Sequence, residues 1–224
     1  MTDRRRPAPG GRDRKQRGSY ERHDAYYHKA REQGFAARSV FKLDEIQART
    51  RVIQPGARVL DLGCAPGAWL QLASRAICPH GRVVGVDLEP VTLSLGPTVI
   101  TLQADVFTVD PARLREAAGG AFDVVLSDLA PHTTGIKGVD QARSMSLVER
   151  ALSLASLLLS TGGGVVAKIF DGGDVPHLIL GLQKDFAQVR QIRPRATRTH
   201  SKEVYIVATG WRGAQVASKN EDNT

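Results

Sequence analysis

Asp61-Leu62-Gly63-Cys64-Ala65-Pro66-Gly67 decides how the rest of the chain is read. The residues before it, ARVL (57–60), are short and apolar, as a buried strand requires, and those after it, AWLQLASRA (68–76), have the spacing of a helix. Glycines at a strand-to-helix turn let a backbone come close to a ligand where side chains would block it. The same alternation continues outward. ARVLDL (57–62), GRVVGVD (81–87), TVITLQAD (98–105), FDVVLSD (122–128) and GGVVAKIF (163–170) read as strands, and 67–77, 111–118, 139–160 and 173–186 as helices. Strands apolar on both faces and separated by helices predict a mostly parallel α/β sheet with helices on both faces. The last pair, AQVRQIRP (187–194) and EVYIVATG (203–210), leaves no room for a helix between its members. It is expected to pair antiparallel and close the sheet. Upstream, 21–33 and 38–51 read as helical, the second with Val40, Phe41, Leu43 and Ile46 at helical spacings.

With 224 residues and a 42% hydrophobic share, the chain can fill one core. Residues 1–19, rich in Arg, Pro and Gly, are expected to be a disordered basic tail, 20–213 one domain and 214–224 a disordered polar tail. No apolar run of about 18 residues exists, which excludes a membrane-spanning helix. The basic N-terminus has no apolar stretch behind it and is not read as a secretory signal, while Asp3 and Asp13 speak against an arginine-rich transit peptide. Two cysteines, Cys64 and Cys78, offer neither zinc spacing nor a disulfide framework, so a reducing cytoplasm and no metal are expected.

The net charge of +8 is unevenly spread. Residues 1–22 hold eight Lys/Arg against three Asp/Glu and residues 193–213 five against one, whereas 23–192 are neutral. Basic charge gathered in patches is the footprint of a polyanion partner. A tail of this kind can also serve only solubility; the second cluster, inside folded sequence, favours nucleic acid. Arg193, Arg195, Arg198 and Lys202 fall between the last two strands and are the candidate nucleic-acid contacts, placed to hold phosphates without reading bases.

A dinucleotide turn would have the spacing G-x-G-x-x-G. Here it is G-x-x-x-G, with Pro66 inside and Asp61 before it. A carboxylate there would repel a pyrophosphate but attract the amino and sulfonium groups of S-adenosylmethionine. Asp87 ends the second strand about 20 residues after the turn, where an acidic residue can bond ribose hydroxyls. Gln103-Ala104-Asp105 ends the third, placed to accept from an adenine amino group. Single strand-end aspartates are commonly turn residues; three in succession around this turn point to a cofactor site. Ser127-Asp128-Leu129-Ala130-Pro131 closes the fourth strand, and Lys168 lies near the end of the fifth, inside Val165-Val166-Ala167-Lys168-Ile169-Phe170. An ammonium is costly to desolvate in such a strand. Either its tip reaches solvent, or it meets Asp128 at the reactive edge.

The sequence resembles the FtsJ/RrmJ (RlmE-type) ribosomal RNA methyltransferases over roughly residues 24–211. The likeness rests on the glycine turn, Ser39-Val40-Phe41-Lys42-Leu43-Asp44-Glu45-Ile46, Ser127-Asp128-Leu129-Ala130-Pro131, Val166-Ala167-Lys168-Ile169-Phe170 and Ser201-Lys202-Glu203-Val204-Tyr205-Ile206-Val207-Ala208. It implies a Rossmann-like fold and a catalytic Lys-Asp-Lys-Glu tetrad on Lys42, Asp128, Lys168 and Glu203. It further implies S-adenosylmethionine contacts at Gly67, Trp69, Asp87, Asp105 and Asp128. The implied reaction is methyl transfer to a ribose 2′-hydroxyl, with a uridine in the A-loop of 23S RNA as target. The implied setting is a cytoplasmic monomer acting on the assembled large subunit; a tRNA substrate is the alternative. The chain departs from the pattern at Cys64 and Ala68 in the turn, at His132 and at Asp171. Lys168 would serve as general base if neutral, or orient the hydroxyl if charged.

Overall fold

Residues 25–172, 174–198 and 201–213 are described in a computed structural model. The tails expected at 1–19 and 214–224 lie outside them. Residues 25–32 are helical (α1) and lead through a turn into α2 (Val40–Thr50). There follow β1 (Arg58–Leu62), α3 (Ala68–Ala76), β2 (Arg82–Asp87), β3 (Val99–Gln103), α4 (Pro111–Ala118), β4 (Phe122–Ser127), α5 (Lys137–Leu158), β5 (Leu159–Phe170), α6 (Val175–Asp185), β6 (Phe186–Ile192) and β7 (Glu203–Trp211). Among the described residues no helix is long and apolar enough to cross a membrane.

The strands form one sheet in the order β3-β2-β1-β4-β5-β7-β6. β1 to β5 run parallel, and β7 is antiparallel to both of its neighbours. The expected antiparallel pair is therefore present, with the last strand inserted between β5 and β6 rather than added outside them.

Period-2 alternation explains the two layers. Leu60, Leu62, Val84, Val86, Val125, Val165 and Ala167 point to one face and pack with Leu114 of α4, Val148 and Leu154 of α5 and Leu182 of α6. Their neighbours Val59, Val83, Val124, Leu126 and Val166 point to the other face, against Leu43 and Ile46 of α2 and Leu70 and Ala73 of α3. Both faces of the central strands are dry, which is why they read as continuous apolar runs.

Two boundaries differ from the sequence reading in ways that matter. β3 stops at Gln103, so Asp105 lies in the turn beyond it, its Oδ1 accepting from the Phe107 N–H at 2.9 Å. β5 starts at Leu159, because Gly162 and Gly163 let the chain bulge between the pairs Phe122–Leu159 and Val124–Gly164. A Cβ on Gly163 would fall 2.9 Å from the Ser160 carbonyl oxygen.

The parallel strands all end on one sheet edge, where ligands of such sheets bind. β7 runs the opposite way and therefore begins at that edge, with Glu203 in register with Phe170.

Candidate active site

Adjacent strands bring the central pair together. Asp128 follows β4, its N–H donating to the Leu62 carbonyl at 3.2 Å, and Lys168 stands two residues from the end of neighbouring β5. The Lys168 Nζ lies 2.9 Å from Asp128 Oδ1, and only 7% of its side chain is exposed. Solvent exposure therefore does not explain this lysine. Its alternation with Ala167 and Ile169, which face α4–α6, turns it toward α2 and α3.

On that side α2 delivers Lys42, buried among Phe41, Leu43 and Ile46, and its Nζ reaches Glu203 Oε1 at 2.5 Å. The tetrad is thus two ion pairs, Lys168–Asp128 and Lys42–Glu203. Between them stands Tyr205, fully buried and in register with Lys168. Its hydroxyl donates to Asp128 Oδ1 at 2.7 Å, and the Lys42 Nζ lies 5.9 Å from its ring centroid. Burial, followed by the charges of Asp128 and Glu203, holds the Tyr205 phenol well above its ordinary range, so it is a donor throughout neutral pH. Sequence reading did not single out Tyr205. The available signal was its parity with Glu203 two residues earlier on one strand.

On the cofactor half, Gly63 and Gly67 adopt φ values of 80° and 111°. A Cβ on Gly63 would fall 3.0 Å from Leu129 Cδ2, and one on Gly67 2.8 Å from Leu93 Cδ1. The glycines therefore admit the loops after β4 and β2 as well as any ligand. Asp87 accepts from the Ala65 N–H at 2.8 Å and the Glu89 N–H at 2.9 Å, which orients its carboxylate across the turn. Trp69 is buried, donates its indole N–H to the Ser39 carbonyl at 3.0 Å and lies 5.8 Å from the Tyr205 ring. It ties α3 to α2 behind the tetrad.

Asp61, beneath the turn, has no exposure at all, and neither carboxylate oxygen has a hydrogen-bond partner. Burial first, then the charges of Asp128 and Asp87, raise its pKa well above the ordinary value. A buried carboxylate without a donor is costly; a cationic ligand group would relieve that cost. Cys64 packs under the turn, where burial is the main cause holding its thiol far above the usual range.

The basic segment after β6 folds against α2, the Arg195 N–H donating to Glu45 Oε2 at 2.6 Å. Arg195, Arg198 and Lys202 are exposed beside the tetrad, whereas the Arg193 guanidinium folds back onto the Ser201 carbonyl. Arg38 adds charge to this side: burial and, next, the Arg198 charge lower its pKa.

A Rossmann-like sheet with a glycine turn, acidic strand ends and a lysine–carboxylate centre at one edge is that of a methyltransferase. The chain belongs to the FtsJ-like methyltransferase family, which residues 35–211 match. It is 46% identical over 189 residues to the ribosomal RNA large subunit methyltransferase E of Syntrophobacter fumaroxidans, spanning 84% of this chain and 96% of that one. It is 48% identical to the protein of the same name from Anaeromyxobacter dehalogenans, over 88% of this chain and 74% of that one. Among solved structures, a Plasmodium falciparum chain described as a ribosomal RNA methyltransferase superposes with a TM-score of 0.72 at 23% identity. That match covers 80% of this chain and all of the other, a likeness of fold.

Proposed function

We propose that the protein transfers a methyl group from S-adenosylmethionine to a ribose 2′-hydroxyl of large-subunit ribosomal RNA. The buried Lys168–Asp128 pair, set at the sheet edge beside the glycine turn, carries this reading. The relatives named as ribosomal RNA large subunit methyltransferases support the substrate class.

The residues around the turn fit the cofactor. Asp61 offers two unpartnered oxygens to a cationic group. Asp87 keeps lone pairs for ribose hydroxyls, Asp105 stands ready for an adenine amino group, and Gly67, lacking a side chain, lets Leu93 close against the turn. When bound, S-adenosylmethionine supplies a methyl group that is already electrophilic on its sulfonium.

The protein's own task is then to hold one oxygen in line and receive one proton. Lys168, held 2.9 Å from Asp128 Oδ1, presents its N–H groups as donors. It binds the acceptor oxygen and leaves a lone pair free for attack. Alignment of this kind supplies several kcal/mol, out of roughly 7–11 available from proximity. The hydroxyl proton becomes strongly acidic as the new C–O bond forms, and Asp128 is the acceptor beside it. Tyr205 fixes that carboxylate from behind, and the Lys42–Glu203 pair holds α2 against the start of β7. Arg195, Arg198 and Lys202, exposed beside the tetrad, take RNA phosphates.

The enzyme acts in the cytoplasm as a monomer, on ribosomal RNA within the large subunit. Comparing 2′-O-methyl positions in ribosomal RNA from cells with and without this protein tests the reading. A uridine of the 23S A-loop is expected to lose its methyl group; an unchanged map would overturn the assignment.

A further inference from the structure

Opposite the α2–α3 face, a buried carboxylate touches no catalytic side chain and yet is fully engaged. Asp140, in the first turn of α5, is 8% exposed. It accepts three hydrogen bonds from the loop after β4: from the Thr134 N–H at 2.7 Å, the Thr134 hydroxyl at 2.9 Å and the Gly135 N–H at 3.1 Å. The Thr134 N–H above all keeps the Asp140 carboxyl below its ordinary range, so these acceptors are charged at neutral pH. The Asp140 N–H in turn donates to the Ile136 carbonyl at 3.0 Å, and Arg143 donates to the His132 carbonyl at 3.2 Å.

The same stretch of α5 fastens the loop after β5. Ser144 Oγ accepts from the Phe170 N–H at 3.1 Å, and Gln141 packs so closely on Gly172 that a Cβ there would fall 1.8 Å from its Nε2. Two loops that leave the reacting centre, one beyond Asp128 and one beyond Lys168, are thereby joined to one rigid helix.

Beyond Leu129, which packs on the core, the first of these loops has no buried apolar side chain to hold it. Residues 132–139 are all exposed, with Ile136 at 63% and Val139 at 39%, yet they are fixed by a buried charge. A pinned loop that displays apolar side chains at the mouth of a site presents them to a ligand. The loop leaves β4 directly after Asp128, and the exposed Arg195 and Arg198 precede Glu203 at the start of β7, so both segments adjoin the sheet edge where Lys168 stands. Nucleobases offer apolar faces that packing of this kind reads without regard to sequence.

We infer that residues 132–139 form a rim that seats the nucleotide neighbouring the target ribose, with Ile136 against its base and Asp140 as the positioning residue that holds the rim. This rests on the function proposed above. The test uses the full chain, large ribosomal subunits from cells lacking the protein, and labelled S-adenosylmethionine. Ile136→Ala, an exposed change that leaves the core intact, is expected to raise KM for subunits roughly fivefold, as loss of one base contact should. Asp140→Ala is expected to raise it about tenfold or more, since three acceptor bonds are lost, with cofactor affinity by calorimetry unchanged. A purely structural role would instead lower Tm and cofactor affinity along with activity, and Ile136→Ala would leave KM at the wild-type value; that result overturns the rim. Subunits left unmethylated by the wild-type protein would overturn the function and the rim together.

Discussion

The two halves of the sheet edge are built by different means. On the cofactor half, β1 carries Asp61 next to its last residue, β2 ends in Asp87 and β3 leads into Asp105. The turn that gathers them is seven contiguous residues, Asp61 to Gly67. On the acceptor half, Lys42, Asp128, Lys168, Glu203 and Tyr205 come from α2, from the residue after β4, from β5 and from β7, and two pairs of opposite charge lock them. The first half is shaped by backbone and leaves a carboxylate without a partner. The second satisfies its charges internally, in the pairs Lys168–Asp128 and Lys42–Glu203. Binding can therefore be disturbed without the chemistry, and the chemistry without binding.

Lys168→Ala separates the halves most widely. Turnover is expected to fall by about 10²- to 10⁴-fold, the range for losing a positioned catalytic group, while calorimetric cofactor affinity stays at the wild-type value. Near-normal turnover would remove Lys168 from the reacting centre.

Asp61→Asn strikes the other half. Cofactor affinity is expected to drop at least about tenfold, the order of effect of losing a hydrogen bond to a charged group. The free protein should gain stability, because the folded chain no longer buries an unpartnered carboxylate. The sign follows from linkage: with its folded pKa raised, Asp61 binds its proton more tightly in the folded chain. Its cost to folding therefore grows as pH rises above about 4, where an unfolded aspartate titrates. The variant's Tm advantage should be largest near pH 8, roughly a few degrees, and shrink as pH approaches 4. A constant advantage would mean that the Asp61 carboxyl binds its proton no more tightly in the folded chain than in the unfolded one.

Tyr205→Phe keeps the ring against Trp69 and removes only the bond to Asp128. A loss of about 1.5–3 kcal/mol is expected from a hydrogen bond to a charged group, read as lower Tm and about tenfold slower turnover at unchanged cofactor affinity. The smallest effect belongs to the basic segment. Arg195→Ala and Arg198→Ala should each lower the salt slope of RNA binding by about 0.7, the share of one phosphate contact on single-stranded RNA. An unchanged slope in both would place the RNA elsewhere.

Much of this is legible in the sequence. The strand–helix alternation announced a parallel sheet because buried strands are apolar on both faces, and the glycine turn marked its ligand edge. Lys168 stood out because an ammonium in an apolar strand needs a reason, and its neighbour in the sheet supplied one in Asp128. Lys42 had no such signal, since a lysine on a helix is ordinarily solvated; resemblance alone singled it out. Tyr205 and Asp140 were invisible, because a buried tyrosine reads as core and a helix-start aspartate reads as solvated.

The sequence by itself determined the elements, the glycine turn and the uneven charge, all of which depend on residues close together in the chain. Only the tertiary structure decided that β7 enters between β5 and β6, because strand order depends on long-range pairing that local pattern does not encode. That insertion reverses one strand, brings Glu203 and Tyr205 to the edge where Lys168 and Asp128 end, and so completes the site from residues as far apart as 42 and 205.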